Sequence, residues 1–242
     1  MMLVSRSLTQ ILSGAVLALG LAAGSALAQN PAQAERPDDN VIGSEDAELL
    51  IVEYASFACP HCAHFQEAVW PTIKSDFIDT GEVRWVFRPM LTNPVPLAGA
   101  GTILANCAED DRFFDAADLL FAEQSTIFDA ARSGGDVLGV YNQIGAAVGL
   151  SPEALMACFQ DPAMNEAVNA AAMQAGEDGI PGTPSFIIGG ELLSIHHGPD
   201  GNFWHWGEEA LMINGERVPA EFDGDSFSRI VLHFMNDSSS EP

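Results

Sequence analysis

A chain of 242 residues with 34 acidic against 9 basic side chains carries a formal charge of −25, which repels phosphate backbones and anionic lipid and so excludes nucleic-acid and peripheral-membrane roles. Four cysteines are too few for a disulfide-dense miniature scaffold, so the fold must rest on an apolar core, and the length suffices for one enlarged domain.

Residues 1–28 hold Arg6, an apolar stretch from Ile11 to Ala22, and Ala26-Leu27-Ala28 ahead of Gln29, the pattern of a secretory signal peptide. The apolar stretch is shorter than the ~20 residues a membrane span needs. Cleavage after Ala28 removes Arg6 and leaves a soluble chain expected in the periplasm, where oxidising conditions let disulfides persist. Residues 29–46 are polar and acidic with two prolines, and are expected to form a flexible leader.

Residues 47–236 are expected to make the folded domain. Leu49–Ala55 is a compact β-branched and apolar run, consistent with a buried central strand and interrupted only by Glu53. A helix should start at the cysteines and continue through Phe65, Val69 and Ile73, with a kink at Pro71. Val83–Phe87 reads as a second strand ending before Pro89. From about 97 to 176 the pattern turns to alanine-rich helical periodicity, broken at Asp110-Asp111, at Ser133-Gly134-Gly135 and at Ser151-Pro152, which fits four or five helices. Ser151 before Pro152 is a helix N-cap with proline in the first turn. Phe186–Ile188 is a third strand, Asn214-Gly215 centres a tight hairpin, and Asp225 to about Met235 forms a terminal helix before a disordered tail at 237–242. The plan is α/β with a helical insertion.

Cys59-Pro60-His61-Cys62 follows the buried strand and opens a helix, the setting in which Cys-x-x-Cys supports thiol-disulfide exchange. The first sulfur lies at the helix N-terminus, where free N–H groups and the positive dipole end favour a thiolate; the second lies one turn inside. Cys59 is therefore the attacking sulfur and Cys62 the resolving one. A helix end contributes at most about 2 kcal/mol, roughly one and a half pKa units, so a strongly acidic Cys59 needs more help, for which His61 can supply a hydrogen bond or a positive charge. A zinc half-site is the alternative, but Cys107 and Cys158 are single cysteines far apart and supply no second ligand pair. Four cysteines allow three pairings.

The segment from Ile42 to Trp70, with its Cys59-Pro60-His61-Cys62, and Gly182-Thr183-Pro184-Ser185-Phe186 together resemble the DsbA-like periplasmic thiol-disulfide oxidoreductases, over about residues 40–235. The resemblance implies a thioredoxin-like fold with a helical insertion domain, no cofactor and no metal. It implies that Pro184 is a cis-proline facing the cysteines, turning the Thr183 backbone toward Cys59, where a substrate chain can pair as an added strand. Glu53 resembles the buried acid placed under the disulfide, able to exchange protons with Cys62. Cys107 and Cys158 match a second, structural bridge between helices found in several relatives. A monomer acting on exported proteins with free thiols, reoxidised by a DsbB-type membrane partner, completes the implied picture. A reductase or isomerase on the same fold is the rival, favoured by Thr183 before the proline and disfavoured by the short leader. A metal-binding or copper-delivery protein using the cysteines and loop histidines is the third reading. Residues 189–210, with His196, His197, His205, Trp204 and Trp206, depart from the family, where only a short turn is expected; without a regular spacing of the histidines they read as plain loop, and a metal or peptide site, or substrate contact by the aromatics, is the rival reading.

Overall fold

The computed structural model describes residues 32–109 and 112–238. The proposed signal peptide, the Asp110-Asp111 break and the end of the tail lie outside them. Seven strands form one sheet in the order β1-β3-β2-β4-β5-β6-β7. These are β1 (Asn40–Ile42), β2 (Leu49–Ala55), β3 (Val83–Pro89), β4 (Ser185–Ile188), β5 (Glu191–Gly198), β6 (Gly201–Trp206) and β7 (Glu209–Ala210). The central pair β2 and β3 is parallel, and β4 runs antiparallel to β2. Such a sheet needs cover on both faces. Ile51 and Phe186 pack on one side with Phe65, Trp85 and Phe227, while Val52, Tyr54 and Ile187 pack on the other with Ala175 and Ile180. Burial on both faces is why β2 reads as an apolar run with Glu53 its one interruption.

Helix α1 (Pro60–Ala68) ends at Val69, whose φ widens to −116° while its N–H still bonds the Phe65 carbonyl, and α2 (Trp70–Ile73) restarts with Pro71 in its first turn. One long kinked helix was the expectation. The proline instead opens a new helix, because there its missing N–H and fixed φ cost nothing. A turn of π-helix, Lys74–Ile78, then leads into β3.

Between β3 and β4 the described residues form six helices rather than four or five: α3 (Val95–Asn106), α4 (Phe113–Ala122), α5 (Gln124–Ser133), α6 (Val137–Ala147), α7 (Pro152–Gln160) and α8 (Pro162–Glu177). The extra boundaries fall at Glu123 and Asp161. Asp161 caps α8 by accepting from the Ala163 N–H (2.9 Å), with Pro162 in the first turn, a start signal as strong as Ser151-Pro152. Their core gathers Phe113, Leu120, Phe121, Ile127 and Leu155 and reaches the two cysteines of the Cys-x-x-Cys motif.

The flexible leader is a second correction, since residues 32–46 pack against the sheet. Buried Arg88, 5% exposed, donates to the carbonyls of Ala32 (2.6 Å) and Ala34 (2.7 Å), to both carboxylate oxygens of Asp39 and to the Tyr54 hydroxyl. Arg36 reaches Asp178 at the end of α8 (2.7 Å). A charged cluster joins the β1–β3 pairing and the packing of Ala32, Val41 and Ile42 in holding this segment, so its largely polar sequence looks unstructured by composition. A third correction concerns residues 189–210, which form strands and not a loop. Pro199-Asp200 makes a two-residue turn joining Gly198 to Gly201, and Leu193 and Trp204 enter the core. The hairpin at Asn214-Gly215 pairs β8 (Met212–Ile213) with β9 (Glu216–Arg217), both turn residues having positive φ. Helix α9 (Gly224–Ser238) closes the chain, its Phe227, Ile230 and Val231 buried on the sheet.

Candidate active site

Cys59 is the N-cap residue of α1, with extended backbone (φ −98°, ψ 116°) and Pro60 at the first helical position. The Cys62 and Ala63 N–H groups bond the Cys59 carbonyl at 3.1 and 3.2 Å. Both sulfurs are free thiols and both side chains are buried, whereas Pro60 and His61 are exposed. The Cys59 thiol donates to the Thr183 carbonyl at 3.3 Å, across from the cis peptide bond between Thr183 and Pro184. Thus one short strand-to-helix junction and one loop before β4 bring Cys59, Pro60, His61, Cys62, Thr183 and Pro184 together. The Asn93–Pro94 bond is also cis, a feature the sequence did not single out.

Electrostatics separate the two sulfurs. A hydrogen bond from the Cys62 thiol, aided by the Thr183 hydroxyl and the backbone N–H groups of Cys62 and His61, overcomes the cost of burial and lowers Cys59 to about 5. Burial raises Cys62 well above an ordinary thiol, and the neighbouring Cys59 thiolate adds to this. The His61 contribution runs through its backbone, while its ring points to solvent, a division that residue type alone cannot reveal.

Glu53 lies on β2, 1% exposed, with Trp85 Nε1 donating to its Oε2 at 3.1 Å. Desolvation, reinforced by the Cys59 charge, pushes the carboxyl up to about 8, so at neutral pH it holds a proton in the electrostatic reach of Cys62. Sequence reasoning missed Trp85 as its partner, and missed Gln124 altogether. Gln124, 5% exposed in the first turn of α5, donates to the carbonyls of Phe57 (2.9 Å) and Cys59 (3.1 Å), tying the helical block to the first residue of the motif and the segment before it. A lone glutamine on an alanine-rich helix carries no pattern by which to find it.

Cys107 at the C-cap of α3 and Cys158 in α7 are joined by a disulfide, their Cα atoms 6.5 Å apart. His196 and His205 stack face to face, ring centroids 3.9 Å apart and 6° from parallel. Imidazole lone pairs lie in the ring plane, so stacked rings cannot converge on one ion. Among the described residues no group of three or more His, Cys, Asp or Glu side chains is placed to hold a metal. Nor is any described helix long and apolar enough to cross a membrane.

The thioredoxin family profile matches residues 35–201, which include the motif, the whole helical block and the Thr183-Pro184 loop. The chain belongs to the thioredoxin family. A Rickettsia typhi protein provisionally named a protein-disulfide oxidoreductase is 29% identical over 154 residues, covering 63% of this chain and 55% of that protein. The chain thus spans little more than half the length of such relatives. Among solved structures of this fold, alpha-DsbA1 of Wolbachia pipientis superposes with a TM-score of 0.65 at 21% identity, covering 87% of this chain and 98% of that one. A protein-disulfide isomerase from Novosphingobium aromaticivorans gives 0.59 at 20%, covering 82% and 97%. At these identities the likeness fixes the thioredoxin-like fold with its inserted helices.

Proposed function

We propose that the chain is an exported thiol-disulfide oxidase that donates a Cys59–Cys62 disulfide to exported proteins carrying free thiols. The observation that carries this reading is the Cys59 thiol lowered to about 5 at the head of α1. A substrate thiolate attacks the Cys59 sulfur; a mixed disulfide forms as the Cys59–Cys62 bond breaks, and Cys62 leaves as a thiolate. Buried Cys62 is a poor thiolate, and Glu53, which holds a proton up to about pH 8 and acts on Cys62 electrostatically, is the proton donor in this reading. A second substrate thiol then attacks the mixed disulfide and releases Cys59, which leaves readily because its thiolate is stabilised. The two electrons pass to the cysteine pair, and reoxidation falls to a DsbB-type partner in the membrane. Export to the periplasm follows from the signal-peptide pattern of residues 1–28.

A reductase or isomerase is the second reading, favoured by the threonine before the cis-proline and by the likeness to a structure named as an isomerase. The reduction potential of Cys59–Cys62 separates them. An oxidase should lie above about −180 mV, toward the ~−120 mV of the strongest dithiol oxidants, and a value near ~−270 mV would establish the reductase instead.

A further inference from the structure

Pairing of β4 with β5 ends at Phe186–Leu193, yet β5 runs on to Gly198, where among the described residues it is held by β6 alone. From Ser194 onward one edge of β5 is therefore bonded to β6, and the other faces the Gly182–Pro184 loop. Between them lies a cavity of about 210 Å³, lined by His61, Gly182, Thr183, Pro184, Ile195 and His197 among others. In a chain with 34 acidic residues, this lining includes none. The cavity borders the exchange site, since its lining includes His61 of the Cys-x-x-Cys motif and Thr183, whose carbonyl lies 3.3 Å from the Cys59 sulfur. It is smaller than the ~300–1,000 Å³ of drug-sized ligand sites, while an unpaired strand edge offers N–H and C=O groups that only an extended backbone can match along its length.

We infer that the β5–β6 ribbon is a second wall of the substrate cleft, and that an extended cysteine-bearing polypeptide lies between it and the Gly182–Pro184 loop, paired with the free edge of β5. This rests on the thiol-exchange reading and adds to it the element that selects polypeptides over small thiols. His197 stands at the far end of that edge. Its Nδ1 lies 2.8 Å from the Asn202 side-chain Oδ1, and because an amide oxygen only accepts, Nδ1 donates there and Nε2 is left to the bound chain.

The test uses the Cys62→Ser protein and a short single-cysteine peptide activated as its thionitrobenzoate disulfide. The Cys59 thiolate attacks the peptide sulfur, the new S–S bond forms as the old one breaks, and coloured thionitrobenzoate leaves. Amide exchange of the loaded protein should then slow by about tenfold or more at those residues of 194–198 whose N–H is not already bonded to β6, an alternate-residue pattern. Complete loading with no protection in 194–198 overturns the inference while leaving thiol exchange standing; absence of loading sinks both, and is told apart by the missing colour. As a second measurement, His197→Trp, which fills the cleft, should slow peptide loading about tenfold relative to loading by the small disulfide of thionitrobenzoate itself. A ratio within about twofold of the unsubstituted ribbon also overturns it.

Discussion

The two cysteine pairs differ less in exposure than in which end of a helix they occupy. Cys59 and Cys62 are the more buried, yet they sit at the head of α1, where N–H groups and the positive dipole end meet the sulfur. Cys107 caps the C-terminal end of α3, and Cys158 lies in the last turn of α7, ends whose free carbonyls disfavour a thiolate. Placement on the helix, not accessibility, makes one pair suited to exchange and the other to scaffolding.

The sharpest way to break that comparison is to remove sulfurs one at a time. Cys59→Ser should abolish exchange, whereas Cys62→Ser should accumulate mixed disulfides with exported proteins, visible on non-reducing gels. Equal trapping by both variants would reverse the assigned roles. Cys107→Ser with Cys158→Ser should leave exchange largely intact and lower stability. Closing a loop with a sequence separation of 51 is worth about 4 kcal/mol in the chain-entropy treatment, an upper figure, readable as a shift in the denaturation midpoint. Lost exchange in a protein that still folds would show that the second pair is part of the active machinery.

Redox state and pH sharpen the contrast. Reduced Cys59 has its pKa depressed from 9.0 to about 5, so its thiolate stabilises the fold fully above the unfolded value, partly between the two, and not below about 5. At pH 7 two units remain, about 3 kcal/mol. The disulfide of the oxidised form adds only a pH-independent offset through its ring. The gap in melting temperature between reduced and oxidised protein should therefore grow in favour of the reduced form from pH 4 to pH 8, with the Cys107–Cys158 bridge absent as a control. A flat gap would remove the electrostatic basis of the oxidase reading.

Glu53→Gln acts with the opposite sign. The folded carboxyl titrates near 8 and the unfolded one near 4.5, so its contribution is intact below 4.5 and is lost as pH rises through that window. Glutamine keeps an acceptor for Trp85 without the charge. It should raise stability at pH 7 by about 3 kcal/mol, leave it unchanged at pH 4, and slow the release of Cys62. Equal stabilisation at both pH values would mean that Glu53 is ionised in the fold.

Much of this was legible in the sequence, for identifiable reasons. Strand β2 announces itself as a buried apolar run, and the motif behind it fixes where α1 begins. Pro199-Asp200-Gly201 between apolar stretches was an equally readable turn signal for the β5–β6 ribbon, obscured by the expectation of a short connection there. The leader was not legible, because it is held by partners distant in the chain: β3, Asp178, and above all Arg88, 49 positions beyond Asp39. Contacts between a polar segment and one distant buried charge leave no periodicity.

Gln124 gives the smallest effect, and the one that best separates scaffold from chemistry at the motif itself. Its amide donates to two backbone carbonyls, not to sulfur, and those carbonyls are present in both redox states. The Cys59 carbonyl keeps its bonds from Cys62 and Ala63 when the amide is removed, so Gln124→Leu chiefly orphans the buried Phe57 carbonyl, at a cost of about 1–3 kcal/mol. Oxidised and reduced protein should lose that stability equally, and the Cys59 titration, followed by thiolate absorbance, should not move. An unequal loss would mean that α5 biases the dithiol against the disulfide, making the helical block a tuning element of the site; an equal one leaves the pull on Cys59 to the head of α1, Cys62 and Thr183.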